Sequence, residues 1–360
     1  MRRLAILLLM AWISLPALAA RKVSVAELER VLAKARGSSD RKLARELHGL
    51  ELTEPMTGAE LARLNATLPG AKSIQALRLV ADLSAFLEPT VLPSNAASIP
   101  EMDAQLQMLT LSLEYVKSMR PRLPNFTAMR ETRRFVEVKP VRPNGEDAMV
   151  TYEPLHSAGD ALESMYYRHG EEVADGPAAQ RKSNGHGGAM LTTRGVFGPL
   201  LEVALVDALR GSLTWSRWQQ SGNDPEAVFH FVVPKAKSHY QVQFCCLRAA
   251  LTPGGEFREN VGYHGEITLD PTTGTVLRLQ IVAEMEEGAP ILKSDILVEY
   301  EPVSIAGRSY FCPVRSVSLQ IEWERGTGFM QTSLNDVAFT GYHMFGTESR
   351  VLTGVDGETP

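Results

Sequence analysis

The residues best suited to chemistry are a histidine and a glutamate that stand two positions apart. His264 and Glu266 occur in "GYHGEITLD", where polar and apolar residues alternate in the manner of a β-strand. Side chains two apart on a strand point to the same face, so this pair could supply two ligands to one metal ion. A metal site needs at least a third ligand, and the neighbouring sequence offers none. The pattern therefore favours a structural role, and it predicts neither a metal ion nor another cofactor.

A second histidine repeats the tripeptide, in His169-Gly170-Glu171. It lies between apolar or aromatic runs, where a His-Gly pair suits the tip of a β-hairpin. Neither histidine is accompanied by a recognisable nucleophile or general base. The chain also contains no G-x-S-x-G, H-E-x-x-H, P-loop or dinucleotide-binding motif. We therefore assign no catalytic residue, and the sequence favours a non-enzymatic protein while leaving the question of activity open.

The N-terminus, residues 1–19, has the features of a signal peptide. Two arginines precede an apolar core, Pro16 breaks it, and Ala17-Leu18-Ala19 has the small-x-small pattern that signal peptidase recognises. The apolar stretch is shorter than the roughly 20 residues that a membrane-spanning helix needs. We expect cleavage after Ala19 and export of a soluble protein to the periplasm or the medium. No later segment is long and apolar enough to span a bilayer.

The chain is acidic, with 37 lysine and arginine residues against 42 aspartate and glutamate residues. Loss of the two leader arginines would leave 35 against 42, a net charge of −7. The sequence has no block of basic residues that could follow a phosphate backbone. Nucleic acid is therefore not expected as a partner.

Three cysteines, Cys245, Cys246 and Cys312, would meet oxidising conditions after export, which permits a disulfide. Adjacent cysteines rarely bridge each other, because the backbone between them must be strained to reach disulfide geometry. We predict that Cys312 pairs with Cys246, with Cys245 as the alternative partner. A reactive dithiol is the other interpretation, but the chain has no C-x-x-C spacing to support it.

The first part of the mature chain, residues 20–87, has the pattern of a small helical bundle. Two capping boxes, Ser24 with Glu27 and Thr57 with Glu60, mark the beginnings of helices, and Asp40 could cap another. A proline-rich linker is expected at 88–100. A long helix follows at 101–122. It has an apolar stripe at heptad-like spacing and further apolar residues beside it, which predicts a buried helix or one that plugs an apolar groove. The stripe consists of Met102, Leu106, Leu109, Leu113 and Val116.

From residue 123 to about 346 the apolar residues alternate as they do in strands. "DPTTG" and "SIAGR" are short hairpin turns with a glycine suited to positive φ, and successive hairpins predict an antiparallel meander. One helix, "FGPLLEVALVDALRG", is inserted, with a proline near its start and a glycine after its end. A flexible tail is expected at 347–360. The predicted fold class is α+β: a helical bundle followed by a large, curved, half-barrel-like antiparallel sheet.

Two further predictions concern polar and aromatic side chains of the sheet. An arginine that enters a sheet interior needs a carboxylate, and Glu266 and Glu299 are candidate partners for Arg315. Trp215 and Trp218 are expected to pack at the rim of the sheet, where their N–H groups reach water.

The segments "LPNFTAMRETRRF", "VFGPLLEVALVDA", "AVFHFVVP", "YHGEITLDPTTGTVLRL" and "VEYEPVSIAGRSYFCPVRSVS" together resemble an uncharacterised family of exported bacterial proteins. The resemblance covers the chain from about Leu123 to Phe345. In architecture alone, an exported curved sheet with an inserted helix resembles the half-barrel of periplasmic lipoprotein carriers of the LolA/LolB type. That resemblance implies a concave apolar face that holds acyl chains, and it assigns no role to any residue.

Three hypotheses for the function follow. The leading one is a non-enzymatic exported protein that binds an apolar ligand, such as a lipid, or a lipidated partner protein on its curved sheet. The alternative is a protein-interaction module of the cell envelope that uses the helical N-terminal region. The third is a hydrolase of envelope polymers, which requires His264, Glu266 and a serine or metal ion in one pocket.

Overall fold

The computed structural model describes residues 20–87, 99–140, 153–174, 191, 195–221, 224–244, 257–324 and 329–345. The predicted signal peptide, most of the predicted linker, the predicted tail, and both Cys245 and Cys246 lie outside the described residues. The chain divides into two compact units, Met1–Pro93 and Ser94–Pro360. Each unit has its own hydrophobic core.

The first unit contains four helices and one pair of parallel strands. Both predicted capping boxes are present, because the side chains of Ser24 and Thr57 each accept the N–H three residues on, and Glu27 and Glu60 reciprocate. The core is built on fully buried leucines such as Leu28. The elements are β1 (Arg21–Val23), α1 (Val25–Lys34), α2 (Asp40–Leu47), β2 (Leu50–Leu52), α3 (Gly58–Asn65) and α4 (Ala71–Ser84).

Asp40 differs from its predicted role as the cap of α2. The cap position there is Ser39, and Asp40 is the first residue of the helix. Its carboxylate instead accepts the N–H groups of Lys72 and Ser73 at the beginning of α4, at 3.1 and 2.8 Å. Hydrogen bonds from the Ser73 hydroxyl and backbone lower the pKa of Asp40. A carboxylate can satisfy the free N–H groups of any nearby helix start, so Asp40 ties α2 to α4.

The second unit begins with the long helix α5 (Met102–Arg122), which has one buried face. That face carries Met108, Ser112, Val116 and Met119, whereas Met102 and Leu106 are 65% and 54% exposed. The predicted stripe therefore contacts the core only in its later part. The spacing of four, four and three residues between the buried positions explains this, since it defines one side of an α-helix.

The twelve remaining strands form a ten-stranded antiparallel sheet and a separate two-stranded pair. The order in the large sheet is β5-β4-β3-β14-β13-β12-β11-β10-β7-β6, and β8 pairs with β9. The strands are β3 (Phe126–Pro140), β4 (Glu153–Arg168), β5 (Glu171–Ala174), β6 (Ser212–Ser221), β7 (Asp224–Val233), β8 (Gln241–Phe244), β9 (Phe257–Asn260), β10 (Gly262–Leu269), β11 (Val276–Glu284), β12 (Ile291–Ile305), β13 (Arg308–Glu324) and β14 (Phe329–Met344).

The path of the chain explains where the inserted helix lies. The strands β3, β4 and β5 build outward to one edge of the sheet, and β6 begins at the other edge. Helix α6 (Pro199–Arg210) is the element between β5 and β6, so it crosses one face of the sheet. From β6 the strands return across the sheet until β14 pairs with β3. The predicted α+β class, with an open antiparallel sheet and an inserted helix, is confirmed.

The predicted hairpin turns are confirmed by their backbone angles. His169 and Gly170 have φ values of 51° and 82° and join β4 to β5 in a two-residue turn. In "DPTTG", the Asp270 carboxylate accepts the N–H groups of Thr272 and Thr273, and Gly274 has φ of 70°. Positive φ at these positions is what glycine, and less often histidine, tolerates.

Both helices of the second unit pack on the same face of the large sheet, here called the core face. Side chains of α5 and α6 share one apolar cluster with Phe231, Tyr263 and Ile281 from the sheet. Because side chains alternate along a strand, the residues between these positions lie on the opposite face. The two faces therefore place the candidate residues in different surroundings.

Candidate binding face

His264 and Glu266 lie on the opposite face of β10, and they share that face as predicted. The carboxylate of Glu266 forms a two-point ion pair with Arg217, with one contact at 2.8 Å between Nη2 and Oε2. His264 has a separate partner, since its Nδ1 lies 3.3 Å from the carboxylate of Glu284. Within the described part of the chain, no group of three or more histidine, cysteine or acidic residues is placed to hold a metal ion.

These partners differ from the pocket that the hydrolase hypothesis requires. Ser216 Oγ lies 3.3 Å from Glu266, but Arg217 engages both oxygens of that carboxylate. A two-point arginine pair engages both carboxylate oxygens, so neither is free to take a proton from a substrate. The geometry thus supports the structural interpretation of Glu266.

The residue beside His264 belongs to a cluster that the sequence reasoning missed. Asp207, fully buried on α6, accepts three hydrogen bonds: from the His239 N–H at 2.7 Å, from His239 Nδ1 at 2.6 Å and from the Tyr263 hydroxyl at 3.0 Å. Burial, followed by the charge of Asp207, raises the pKa of Tyr263. The imidazole of His239 is 60% exposed, so its Nε2 side is the part that faces water.

A carboxylate that orients an imidazole through Nδ1 is also the arrangement of an acid–base pair in hydrolases. The described partners of Asp207 include no serine or cysteine nucleophile, so the contacts fit a structural tie between α6 and the segment that follows β7. A signal for this cluster was present in "VALVDALR". An aspartate on the apolar side of a helix must find hydrogen-bond donors when the helix is buried.

The predictions for Arg315 and the tryptophans can be compared directly with the contacts. Arg315 pairs with Glu299 at 3.4 Å, as predicted, and also with Asp336 at 3.1 Å. Glu266, the other candidate, pairs with Arg217. Trp215 and Trp218 lie on the edge strand β6 with ring centroids 4.8 Å apart, half-buried against the core as expected at a rim.

The described cysteine, Cys312, is fully buried in the apolar cluster of the core face. Burial raises the pKa of its thiol to about 12. Strand β8, which leads to Cys245, buries Val242 in a small cluster with Val261 and Ala283. Since Cys245 and Cys246 lie outside the described residues, the pairing with Cys312 stays a prediction.

The core face has an apolar half made by β7, β10, β11 and β12. One row of side chains runs across these strands as Phe229, Ile267, Leu279 and Val298. The row is almost completely buried, with exposures of at most 2%. The side chains of α6 that belong to the same cluster, such as Leu201 and Leu205, are equally buried.

The same row becomes polar when it reaches the central strands β13, β14 and β3. It continues from Val298 through Ser316 and Val337 to Thr132. The next row passes from Ile296 through Ser318 and Asn335 to Arg134. We call these side chains the polar patch, which consists of Thr132, Arg134, Ser316, Ser318, Gln320 and Asn335.

The polar patch is buried but only partly satisfied. Its five uncharged members are between 0% and 4% exposed. Among the described residues, the hydroxyls of Thr132 and Ser316 and the Nε of Arg134 have no hydrogen-bond partner. Asn335 does have one, since its Nδ2 donates to the Leu191 carbonyl at 2.6 Å. A buried polar group without a partner costs about 1–3 kcal/mol, so three such groups on one face need an explanation.

A neighbouring arginine on this face, Arg130, lies close enough to a carboxylate to act on it electrostatically. Burial raises the pKa of Glu172, and the positive charge of Arg130 opposes that rise. Glu172 also accepts the Phe197 N–H at 3.1 Å, which fixes the segment before α6. Arg134, two positions further along the same face of β3, has no comparable carboxylate among the described residues.

Comparisons with known proteins give one structural likeness. No family model matches the chain, and no curated protein matches it. Among solved structures, a LolA superfamily protein from Nitrosomonas europaea matches 68% of this chain and 97% of its own, at 7% identity and a TM-score of 0.26. At that TM-score the likeness carries no argument about fold or function. None of the described helices combines the length and apolar character needed to span a membrane.

Proposed function

We propose that this protein is an exported, non-enzymatic binding protein that holds an apolar ligand, a lipid or the acyl chain of a lipidated partner, on the core face of its sheet. The observation that carries the proposal is the way α5 is seated on that face. The helix contributes three apolar side chains to its buried stripe, namely Met108, Val116 and Met119. The fourth buried position is Ser112, whose hydroxyl has no partner.

These contacts suit a helix that covers the core face and can be displaced by a ligand. Methionine side chains are flexible and fit many apolar surfaces, and an unpartnered buried hydroxyl weakens the contact further. The stripe continues beyond the seat onto Met102 and Leu106, which are largely exposed. A helix held in this way can leave the sheet when a ligand replaces its contacts.

Magnitudes permit the exchange of this helix for an acyl chain. Burial of the three buried apolar side chains contributes roughly 5–8 kcal/mol, and the partly buried Leu109, Leu113 and Tyr115 of the same helix add roughly 2–4 kcal/mol. A long saturated chain gains about 0.8 kcal/mol for each buried methylene, which is roughly 10 kcal/mol for a palmitoyl chain. The gain from the ligand is therefore comparable to the contacts that α5 would lose.

The test uses the mature protein after removal of bound lipid. Palmitate and hexadecanol should each bind in a one-to-one ratio, measured by native mass spectrometry and by quenching of tryptophan fluorescence. Amide hydrogen exchange in α5 should rise on binding, while exchange in α1 to α4 stays unchanged as the internal control. Failure to bind either compound, with α5 equally protected in both samples, would refute the proposal.

The location is tested separately. N-terminal sequencing of the protein from an envelope fraction and from the medium should give a chain that begins near Ala20. A chain that retains its first 19 residues and stays with the cytoplasm would contradict export.

A further inference from the structure

We infer that the polar patch recognises the head group of the bound molecule, which makes the ligand a single-chain amphiphile with an anionic, oxygen-rich head. This inference rests on the proposed function and specifies its ligand class. A fatty acid carboxylate and an alkyl phosphate share the required chemistry.

The register places the patch directly beside the apolar half. Ser316 is flanked in its row by Val298 and Val337, and both valines belong to the apolar cluster. Neighbouring strands lie about 4.8 Å apart, so the three strands that carry the patch span roughly 10 Å. A chain lying along the apolar half would thus end with its head within reach of the patch.

The unpartnered atoms have the polarity that an anion requires. The two buried hydroxyls of Thr132 and Ser316 are able to donate, and so is the Nε of Arg134. An arginine guanidinium presents paired N–H groups that match the oxygens of a carboxylate or phosphate. The Nε of Arg134 and the hydroxyl of Thr132 lie two residues apart on one face of β3 and have no partner among the described residues, so one oxygen-rich anion could bind both. Ser316 lies in the same row as Thr132, on the far side of Val337.

Arg134 is the most important member of the polar patch for binding an anion, because it carries a positive charge. The protein as a whole is acidic, so an anion needs a local positive charge to approach this face. Arg130 already acts on Glu172, whereas Arg134 faces the hydroxyl and amide side chains of the patch. The charge of Arg134 is therefore available for a ligand.

The test compares three ligands of equal chain length: palmitate, hexadecyl phosphate and the uncharged hexadecanol. Arg134→Gln should weaken the two anions by about tenfold to a hundredfold, and it should leave hexadecanol unchanged. Arg134→Lys keeps the charge and loses the paired N–H groups, so its affinity for the anions should lie between those of the wild type and Arg134→Gln. The matched control is Arg133→Gln, the next residue on the same strand but on the opposite face, where it pairs with Glu131 and Asp336. This control should bind all three ligands as the wild type does.

A second variant covers the case in which Arg134→Gln fails to fold. Thr132→Val removes a buried hydroxyl that has no partner among the described residues and keeps its volume, so the empty protein should melt a few degrees higher while the anions bind several-fold more weakly. Lower melting temperature together with unchanged affinity would overturn the inference.

The outcomes separate the inference from the function on which it rests. Wild type that binds all three ligands, with Arg134→Gln binding them equally well, would refute the head-group assignment and leave the proposed function standing. If the wild-type protein binds none of the three ligands, both the head-group assignment and the proposed function are refuted. Inorganic phosphate that competes as strongly as hexadecyl phosphate would overturn the inference, because the patch would then hold a free anion without a chain.

Discussion

The turn glycine Gly274 lies directly against the backbone of α5 at Ser112. A methyl group placed on Gly274 would overlap the backbone of Leu111 and Ser112. The turn between β10 and β11 can approach the helix this closely only because glycine has no side chain. This contact joins a local turn to the seat of α5. It also offers a way to lift the helix from the sheet without altering the apolar face.

Gly274→Ala should destabilise the second unit by about 1–2 kcal/mol for the positive φ and by a further ~1–3 kcal/mol for the overlap. Urea unfolding measures the sum. The matched control is Gly307→Ala, since Gly307 has φ of 78° and nothing within 4 Å of the added methyl group. The control should show the smaller loss alone. Equal losses in the two variants would mean that the helix does not press on the turn.

Asp207→Ala should lower the free energy of unfolding by about 3 kcal/mol, because it leaves the buried Tyr263 hydroxyl and the His239 N–H without an acceptor. Tyr263→Phe should cost less, about 1 kcal/mol, since two hydrogen bonds to Asp207 remain. Glu202→Ala, an exposed acid on the same helix with one surface ion pair to Arg120, is the control and should be nearly neutral. Equal effects at positions 207 and 202 would contradict the tie described for Asp207.

The pH dependence of stability should differ between the wild type and Glu172→Gln. Burial raises the pKa of Glu172 above its ordinary value of 4.5. A carboxyl with a raised folded pKa stabilises the protein fully below its unfolded pKa, and that contribution is lost as the pH rises through the folded value. Glutamine cannot ionise, so the wild type should lose stability relative to the variant above about pH 4.5. Parallel urea midpoints across the pH series would exclude this role for Glu172.

Reduced Cys312 should resist alkylation in the folded protein, because its thiol is fully buried and has a pKa of about 12. Iodoacetamide near neutral pH should modify it only after urea unfolding, which peptide mass spectrometry detects. The same mapping without reduction tests the predicted bridge to Cys246 and its alternative, Cys245. Alkylation of Cys312 at equal rates in folded and unfolded protein would contradict its burial.

Features set by neighbouring residues were predictable from the sequence. The capping boxes, the turn at His169 and Gly170 and the turn that begins at Asp270 all depend on residues within four positions of each other. Their chemistry is local, so the type of residue is enough to identify the structure. The inserted helix was predictable for the same reason.

Features set by distant residues were not predictable in the same way. Tyr263 and Asp207 are 56 positions apart, and neither sequence segment indicates that the two residues are in contact. The polar patch needs the pairing of β3 with β14, which follows only from the complete strand order. Hydrophobic alternation assigns a residue to a face, but it does not say which strands become neighbours. The candidate binding face was therefore expected as a curved apolar surface, and its polar part was missed.

The pairing of β3 with β14 has a consequence for how the protein is made. These strands are the first and the last of the large sheet along the chain, yet they lie side by side in its interior. During synthesis, the edge of β3 that pairs with β14 stays unpaired until nearly all of the other strands have been made. Unpaired strand edges can associate with those of other chains. A chain that stops before β14 would form two smaller sheets, one with an unpaired edge at β3 and the other with an unpaired edge at β13. The strand order therefore leaves nascent chains open to association through these two edges until β14 has been made.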